Sequence, residues 1–171
     1  MNADFHRDIQ FIKEEANRQD RHKWIVTIRH LIHRTGLVSD MCLDQHLSKH
    51  SITNHSIAIL TTLARNDGSM PQKSLTKILN RTKQSVASSL ANLEKRHYIK
   101  RENAKRDKRK MIVTITEEGL NITKECLPIR DQFYSSLAPL ISSEEGQQLN
   151  NILNKLCDKM IADMKKAKRR G

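Results

Sequence analysis

The stretch from Asn80 to Arg109 reads Asn-Arg-Thr-Lys-Gln-Ser-Val-Ala-Ser-Ser-Leu-Ala-Asn-Leu-Glu-Lys-Arg-His-Tyr-Ile-Lys-Arg-Glu-Asn-Ala-Lys-Arg-Asp-Lys-Arg. Thr82 is a helix N-cap, because its hydroxyl can accept an otherwise unpaired first-turn N–H. Val86, Leu90 and Leu93 follow at i, i+4 and i+7 and give the helix one buried side. Gln84, Ser88 and Asn92 fall opposite, with Ser85 and Arg81 beside them, so the outer face is small, polar and nearly uncharged. Tyr98–Glu102 and Met111–Thr116 are rich in Ile, Val, Tyr and Thr and read as two strands. Between them, residues 103–110 carry Lys105, Arg106, Lys108, Arg109 and Lys110 against the single Asp107. A helix pair followed by a basic hairpin is a winged helix-turn-helix, and packing on helices stabilises a hairpin that is marginal alone.

Working outward toward the N-terminus, Pro71 suits the first turn of the preceding helix, with Leu75, Ile78 and Leu79 as its buried side. Before it, Asn66-Asp67-Gly68 supplies turn chemistry. It ends a helix capped by Thr53 and carrying Ile57, Leu60, Leu63 and Ala64. Residues 21–48 read as one long helix with Trp24, Ile28, Leu31, Thr35, Val38 and Cys42 on one face. Residues 1–20 show only a narrow stripe, Phe5, Ile9, Ile12 and Ala16, and read as a helical extension of low stability by itself.

Toward the C-terminus, Thr116 caps a further helix whose first turn holds Glu117 and Glu118, favourable charges at the positive end of its dipole. This helix has two apolar stripes, Ile122-Cys126-Ile129-Phe133-Leu137 and Leu120-Leu127-Tyr134, with Pro128 between them. Ser142 and Glu145 form a capping box for a last helix with Leu149, Ile152, Leu153, Leu156, Met160 and Met164 at coiled-coil-like spacing. That is more apolar surface than one small domain can hide, so a homodimer is expected. The expected organisation is an extension (1–20), a helical dimerisation region (21–50 with 117–165), a winged helix-turn-helix domain (51–116) and a basic tail (166–171). The fold class is mainly α with a small β component.

Bulk properties agree with a polyanionic partner. The 171 residues carry a net charge of +12, and aromatics are only 4%, which disfavours base stacking on single strands. Cys42, Cys126 and Cys157 are odd in number and far apart, so no disulfide framework is expected and a cytoplasmic setting follows. The N-terminus lacks the apolar segment of a signal peptide, and no run approaches a membrane span. Phosphate loops, nucleophile elbows and placed acid pairs are lacking, so no enzyme, cofactor or metal is expected. His46 and His50, with His55 nearby, read as polar surface histidines rather than zinc ligands. The cysteines read as small hydrophobes on apolar stripes rather than redox sensors.

In order and spacing these elements resemble the MarR/SlyA family of bacterial transcription regulators over about residues 24–164. The motifs are Gln72-Lys73-Ser74-Leu75-Thr76-Lys77-Ile78-Leu79, Thr82-Lys83-Gln84-Ser85-Val86, Leu93-Glu94-Lys95-Arg96-His97-Tyr98-Ile99, Asp107-Lys108-Arg109 and Thr116-Glu117-Glu118-Gly119. The resemblance implies a dimeric, double-stranded DNA-binding regulator, expected to be a repressor, with two recognition helices roughly 34 Å apart on a pseudo-palindromic site. Thr82, Lys83, Gln84, Ser85, Ser88 and Asn92 would be the recognition-helix contacts and Gln72 a phosphate contact. Lys105, Arg106 and Lys108 would meet phosphates while Arg109 enters the minor groove, oriented by Asp107, and Lys110 completes the DNA-binding wing. Two positions depart from the family pattern: Ser88 stands where a basic residue is common, and His97 where Gly is usual, which implies either a less sharp turn or an unusual backbone angle there. Release by a small molecule or another signal is implied. A zinc- or oxidant-responsive member, or a non-sequence-specific architectural protein, stays open as an alternative.

Overall fold

The computed structural model describes residues 23–104 and 107–167. The expected extension over 1–20, Lys105, Arg106 and tail residues 168–171 lie outside the described residues. The described elements are α1 (Lys23–Leu47), α2 (Asn54–Ala64), β1 (Ser69–Pro71), α3 (Gln72–Ile78), α4 (Lys83–Lys95), β2 (Ile99–Ala104), β3 (Asp107–Ile115), α5 (Glu117–Leu137) and α6 (Ser143–Ala167). Short 3-10 turns at Ser48–His50 and Ala138–Leu140 follow α1 and α5.

Helix starts follow local side-chain chemistry. Thr53, Thr82 and Thr116 accept from the N–H of Ser56, Ser85 and Gly119 at 3.2, 3.1 and 3.0 Å. At α6, Glu145 N–H donates to Ser142 Oγ at 3.2 Å, and Ser142 N–H donates back to the Glu145 carboxylate at 2.9 Å. Each such cap contributes about 1 kcal/mol. The backbone and hydroxyl of Ser142 accordingly hold the Glu145 carboxyl below its ordinary pKa.

The three strands form an antiparallel sheet in the order β1-β3-β2. Strand β1 was not expected from sequence: Ser69, Met70 and Pro71 pair with Thr114, Val113 and Ile112. Pro71 therefore ends a strand and caps α3 with an extended ψ of 134°, instead of occupying that helix's first turn. The wing strands also differ from expectation. They run over Ile99–Ala104 and Asp107–Ile115, in register from Ile99↔Ile115 to Asn103↔Met111 and with an irregularity at Asn103/Ala104. Main-chain pairing continues past the last buried side chain, because the ladder satisfies the backbone whatever the exposed side chains are. Asp107 to Lys110 are thus strand residues and not tip residues.

The passage from α4 into the wing is the tightest corner. His97 has φ 60°, in the left-handed region where Gly is preferred. Its N–H bonds Glu94 O at 2.9 Å, and Tyr98 N–H bonds Leu93 O at 2.9 Å. This is a Schellman closure that satisfies the last α4 carbonyls. Thr116 then returns to the same corner, its N–H on Tyr98 O at 3.0 Å and its hydroxyl on His97 O at 2.7 Å. A Cβ on Gly119 would lie 2.1 Å from Tyr98 O, so only glycine fits there.

The core is aliphatic. Ile57, Ile59, Leu60 and Leu63 of α2, Leu75 of α3, and Val86, Leu90 and Leu93 of α4 meet Ile99, Val113, Ile122 and Cys126. Two positions expected in it are exposed. Leu75 of the short α3 and Leu79 at its C-cap face inward and turn Ile78 outward, and Ala64 ends α2 on the surface while Ile59 is buried. By contrast, α6 has no buried residue, and large apolar side chains of α1 and α6 lie open. No described helix is long and apolar enough to cross a membrane.

Candidate nucleic-acid interface

Buried Val86, Leu90 and Leu93 fix the rotation of α4, and this leaves Gln84, Ser88 and Asn92 exposed on its outer face. Ser85 is half-buried, its N–H engaged by the Thr82 cap. Lys83 is exposed at the helix start, where free N–H groups and the dipole favour an anion.

The start of α4, the start of α3 and strand β3 enclose a groove of about 510 Å³. Four residues singled out from sequence line it: Gln72, Lys83, Arg109 and Lys110. Lys73 and Lys77 line it too. Both were missed, although their i, i+4 spacing beside Gln72 was the available signal. None of the lining residues among those described is acidic, so the groove concentrates positive potential. Gln84, Ser88 and Asn92 do not line it; they form a separate polar face on the same helix.

Asp107 shapes the wing through the backbone. Its Oδ1 accepts from the Arg109 main-chain N–H at 3.1 Å, and its Oδ2 lies 3.4 Å from Lys110 Nζ. Arg109 and Lys110 are both exposed. The backbone of Lys108 lies between them and Asp107 in β3.

Other charged groups brace this surface. Arg101 of β2 donates to the Glu94 carboxylate of α4 through Nε, at 2.9 Å, and through Nη2. That hydrogen bonding holds the Glu94 carboxyl below its ordinary pKa. Arg96 lies over the Tyr98 ring, 4.9 Å from its centroid, and donates to the carbonyls of His50 and Ser51. The Cys126 thiol is pushed up to about 11, chiefly by burial and then by Glu125, so it is almost wholly protonated at neutral pH.

Comparisons with known proteins now bear on this geometry. The winged helix DNA-binding domain family matches residues 52–119. The chain is 31% identical over 108 residues to the HTH-type transcriptional regulator SarZ of Staphylococcus haemolyticus, covering 63% of this chain and 71% of that protein. It is 29% identical over 105 residues to the transcriptional regulator HosA of Escherichia coli O157:H7, covering 61% of this chain and 77% of HosA. Among solved structures, the MepR–DNA complex of S. aureus matches with a TM-score of 0.69 and 26% identity, over 77% of this chain and 96% of MepR. A MarR variant from E. coli complexed with operator DNA matches with a TM-score of 0.70 and 24% identity, over 81% of this chain and 99% of MarR. Element order, the groove between α3, α4 and the wing, and these likenesses converge: the chain belongs to the MarR family of winged helix, DNA-binding transcription regulators.

Proposed function

We propose that the chain acts as a homodimeric repressor of a pseudo-palindromic operator. Each α4 enters a major groove, where Gln84, Ser85, Ser88 and Asn92 offer short polar contacts to base edges. The β2–β3 wing follows the backbone and presents Arg109 to the adjacent minor groove, whose potential is most negative in A/T-rich sequence. Gln72, Lys73, Lys77, Lys83 and Lys110 surround a phosphate in the groove. The observation that carries this reading is the juxtaposition of an exposed, uncharged helix face with a groove lined, among the described residues, by cations and no carboxylate.

The dimer would be built from α1, the far end of α5 and α6. Trp24, Leu31, Ile152, Met160 and Met164 are each more than half exposed, although they recur at helical spacing. A second copy of the same helices is the self-complementary way to cover them. A signal that alters the packing of these helices on the winged body would shift the population away from the DNA-competent spacing.

The test is a gel shift on the DNA upstream of the chain's own gene, with non-cognate competitor at fixed salt. Arg109→Ala is expected to weaken specific binding by about 1–3 kcal/mol. Unchanged affinity would remove the wing from the interface. Equal displacement by any competitor would make the protein a non-specific DNA coat.

A further inference from the structure

Helix α1 presents apolar side chains to solvent, yet its C-terminal third is fastened to the helix-turn-helix by two carboxylates. Asp44 Oδ1 accepts from the backbone N–H of Asn54 at 2.6 Å. Asp40 Oδ1 accepts from the Asn54 side-chain amide at 2.8 Å. The other oxygen of Asp40 pairs with Arg81 Nη2 at 3.3 Å. Arg81 immediately precedes Thr82, the cap of α4, and follows Asn80, whose φ of 48° turns the chain out of α3.

The residue after Asn54 reaches α4 itself. His55 Nδ1 lies 3.1 Å from Ser89 Oγ, and its Nε2 is buried with no partner among the described residues. Two adjacent residues at the start of α2 are therefore held by α1 on one side and joined to α4 on the other. Asp40 spans the same gap directly.

We propose that Asp40 and Arg81 are a positioning pair that sets the entry of α4 relative to α1 and so supports DNA reading. The proposal rests on the DNA-reading role of α4. A carboxylate gains nothing from DNA by itself, so its worth to binding can come only through what it holds. The competing arrangement gives Arg81 to a DNA phosphate and leaves Asp40 as a rival for it. The two arrangements predict opposite signs for one substitution. Without its charge, residue 40 would release Arg81 to phosphate and tighten binding in the second case. In the first case it would loosen α4 and weaken specific binding.

The experiment uses the full chain, a duplex that it enriches from a random pool, and a scrambled duplex of equal length, each at two salt concentrations. Asp40→Asn is expected to weaken binding to the enriched duplex about 5- to 10-fold, within the range of coupled contacting pairs, and to leave scrambled-duplex binding within about twofold. Arg81→Gln should cost about the same without changing the salt slope, and the double variant should be no worse than either. The reversed pair, Asp40→Arg with Arg81→Asp, should recover part of the loss. Tighter or unchanged binding by Asp40→Asn overturns the proposal, as do additive losses or a salt slope that falls by about one in Arg81→Gln. Both side chains are about half exposed, so the variants should fold. Should Asp40→Asn fail to, Arg81→Gln and the reversed pair decide by the same criteria. A wild-type chain that enriches no sequence overturns the DNA-reading role itself, and the pair with it.

Discussion

Leu60 and Ile152 occupy the same kind of position, an apolar stripe on an amphipathic helix, yet Leu60 is wholly buried and Ile152 is 53% exposed. The difference runs through the molecule. Around α2, α4 and the sheet, stripes from several elements close on one another into an aliphatic core. On α6, the stripe meets solvent along its whole length. Helical periodicity says that a face seeks burial but not where its partner lies. In the winged body the partners are other elements of the same chain. Leu43 and Leu47 at the end of α1 are buried in the same way, but the exposed stripes of α1 and α6 have no such partner among the described residues, and each open Leu or Ile forgoes the roughly 1.5–3 kcal/mol that full burial contributes.

The largest effects should therefore come from the winged body. Gly119→Ala places a Cβ 2.1 Å from the Tyr98 carbonyl, a backbone atom that cannot move aside without opening the α4–wing corner. Loss of the native fold is expected, visible as loss of cooperative urea unfolding by circular dichroism. Leu60→Ala leaves a cavity in a fully buried site and should cost about 2–5 kcal/mol in the same measurement. A cost below about 1 kcal/mol would mean that the body is not the closed core that its burial indicates. Next in size, Ile152→Ala should barely alter unfolding of the winged body. It should weaken self-association by about 1–2 kcal/mol per copy, the part of a buried Ile that the substitution removes. Sedimentation equilibrium reads this directly, and an unshifted monomer–dimer balance would take α6 out of the dimer interface.

What was legible from sequence divides by distance along the chain. The caps at Thr53, Thr82, Thr116 and Ser142 were readable because donor and acceptor lie within three residues of each other. The left-handed turn at His97 was only half readable: a residue other than the usual Gly allowed either a less sharp turn or this backbone angle, and the backbone takes the second. Strand β1 was not, because its whole signal is one buried Met70 and its partner is Val113, far along the chain. Placing Asp107–Lys110 at the hairpin tip failed for a related reason: charge suggested a loop, while the ladder needs only backbone. In the candidate site, the residue types on α4 and in the wing could be named from sequence. The convergence of Lys73 and Lys77 with Arg109 and Lys110 on one groove could not, and neither could the pairing of Asp40 with Arg81.

The smallest effect tests how the two regions are joined, and its sign can be worked out. His55 sits between α1 and α4, and its pKa is lowered from 6.5, first by burial and then by Arg81, against the opposing pull of Asp40 and Asp44. Protonation would also turn the buried Nε2 into a charged donor with no acceptor among the described residues. The unfolded chain therefore takes up a proton at a higher pH than the folded one. Between 6.5 and the lower folded value, stability must fall as pH falls, and it is fully present only above that window. Replacing His55 by Gln keeps a polar side chain but removes the titration. Urea midpoints at pH 7.5 and 5.5 should then drop less for His55→Gln than for the wild type. An equal drop would assign the acid sensitivity to other groups. A larger drop in the variant would mean that Asp40 and Asp44 outweigh burial, so that a protonated His55 strengthens the junction between α1 and α4.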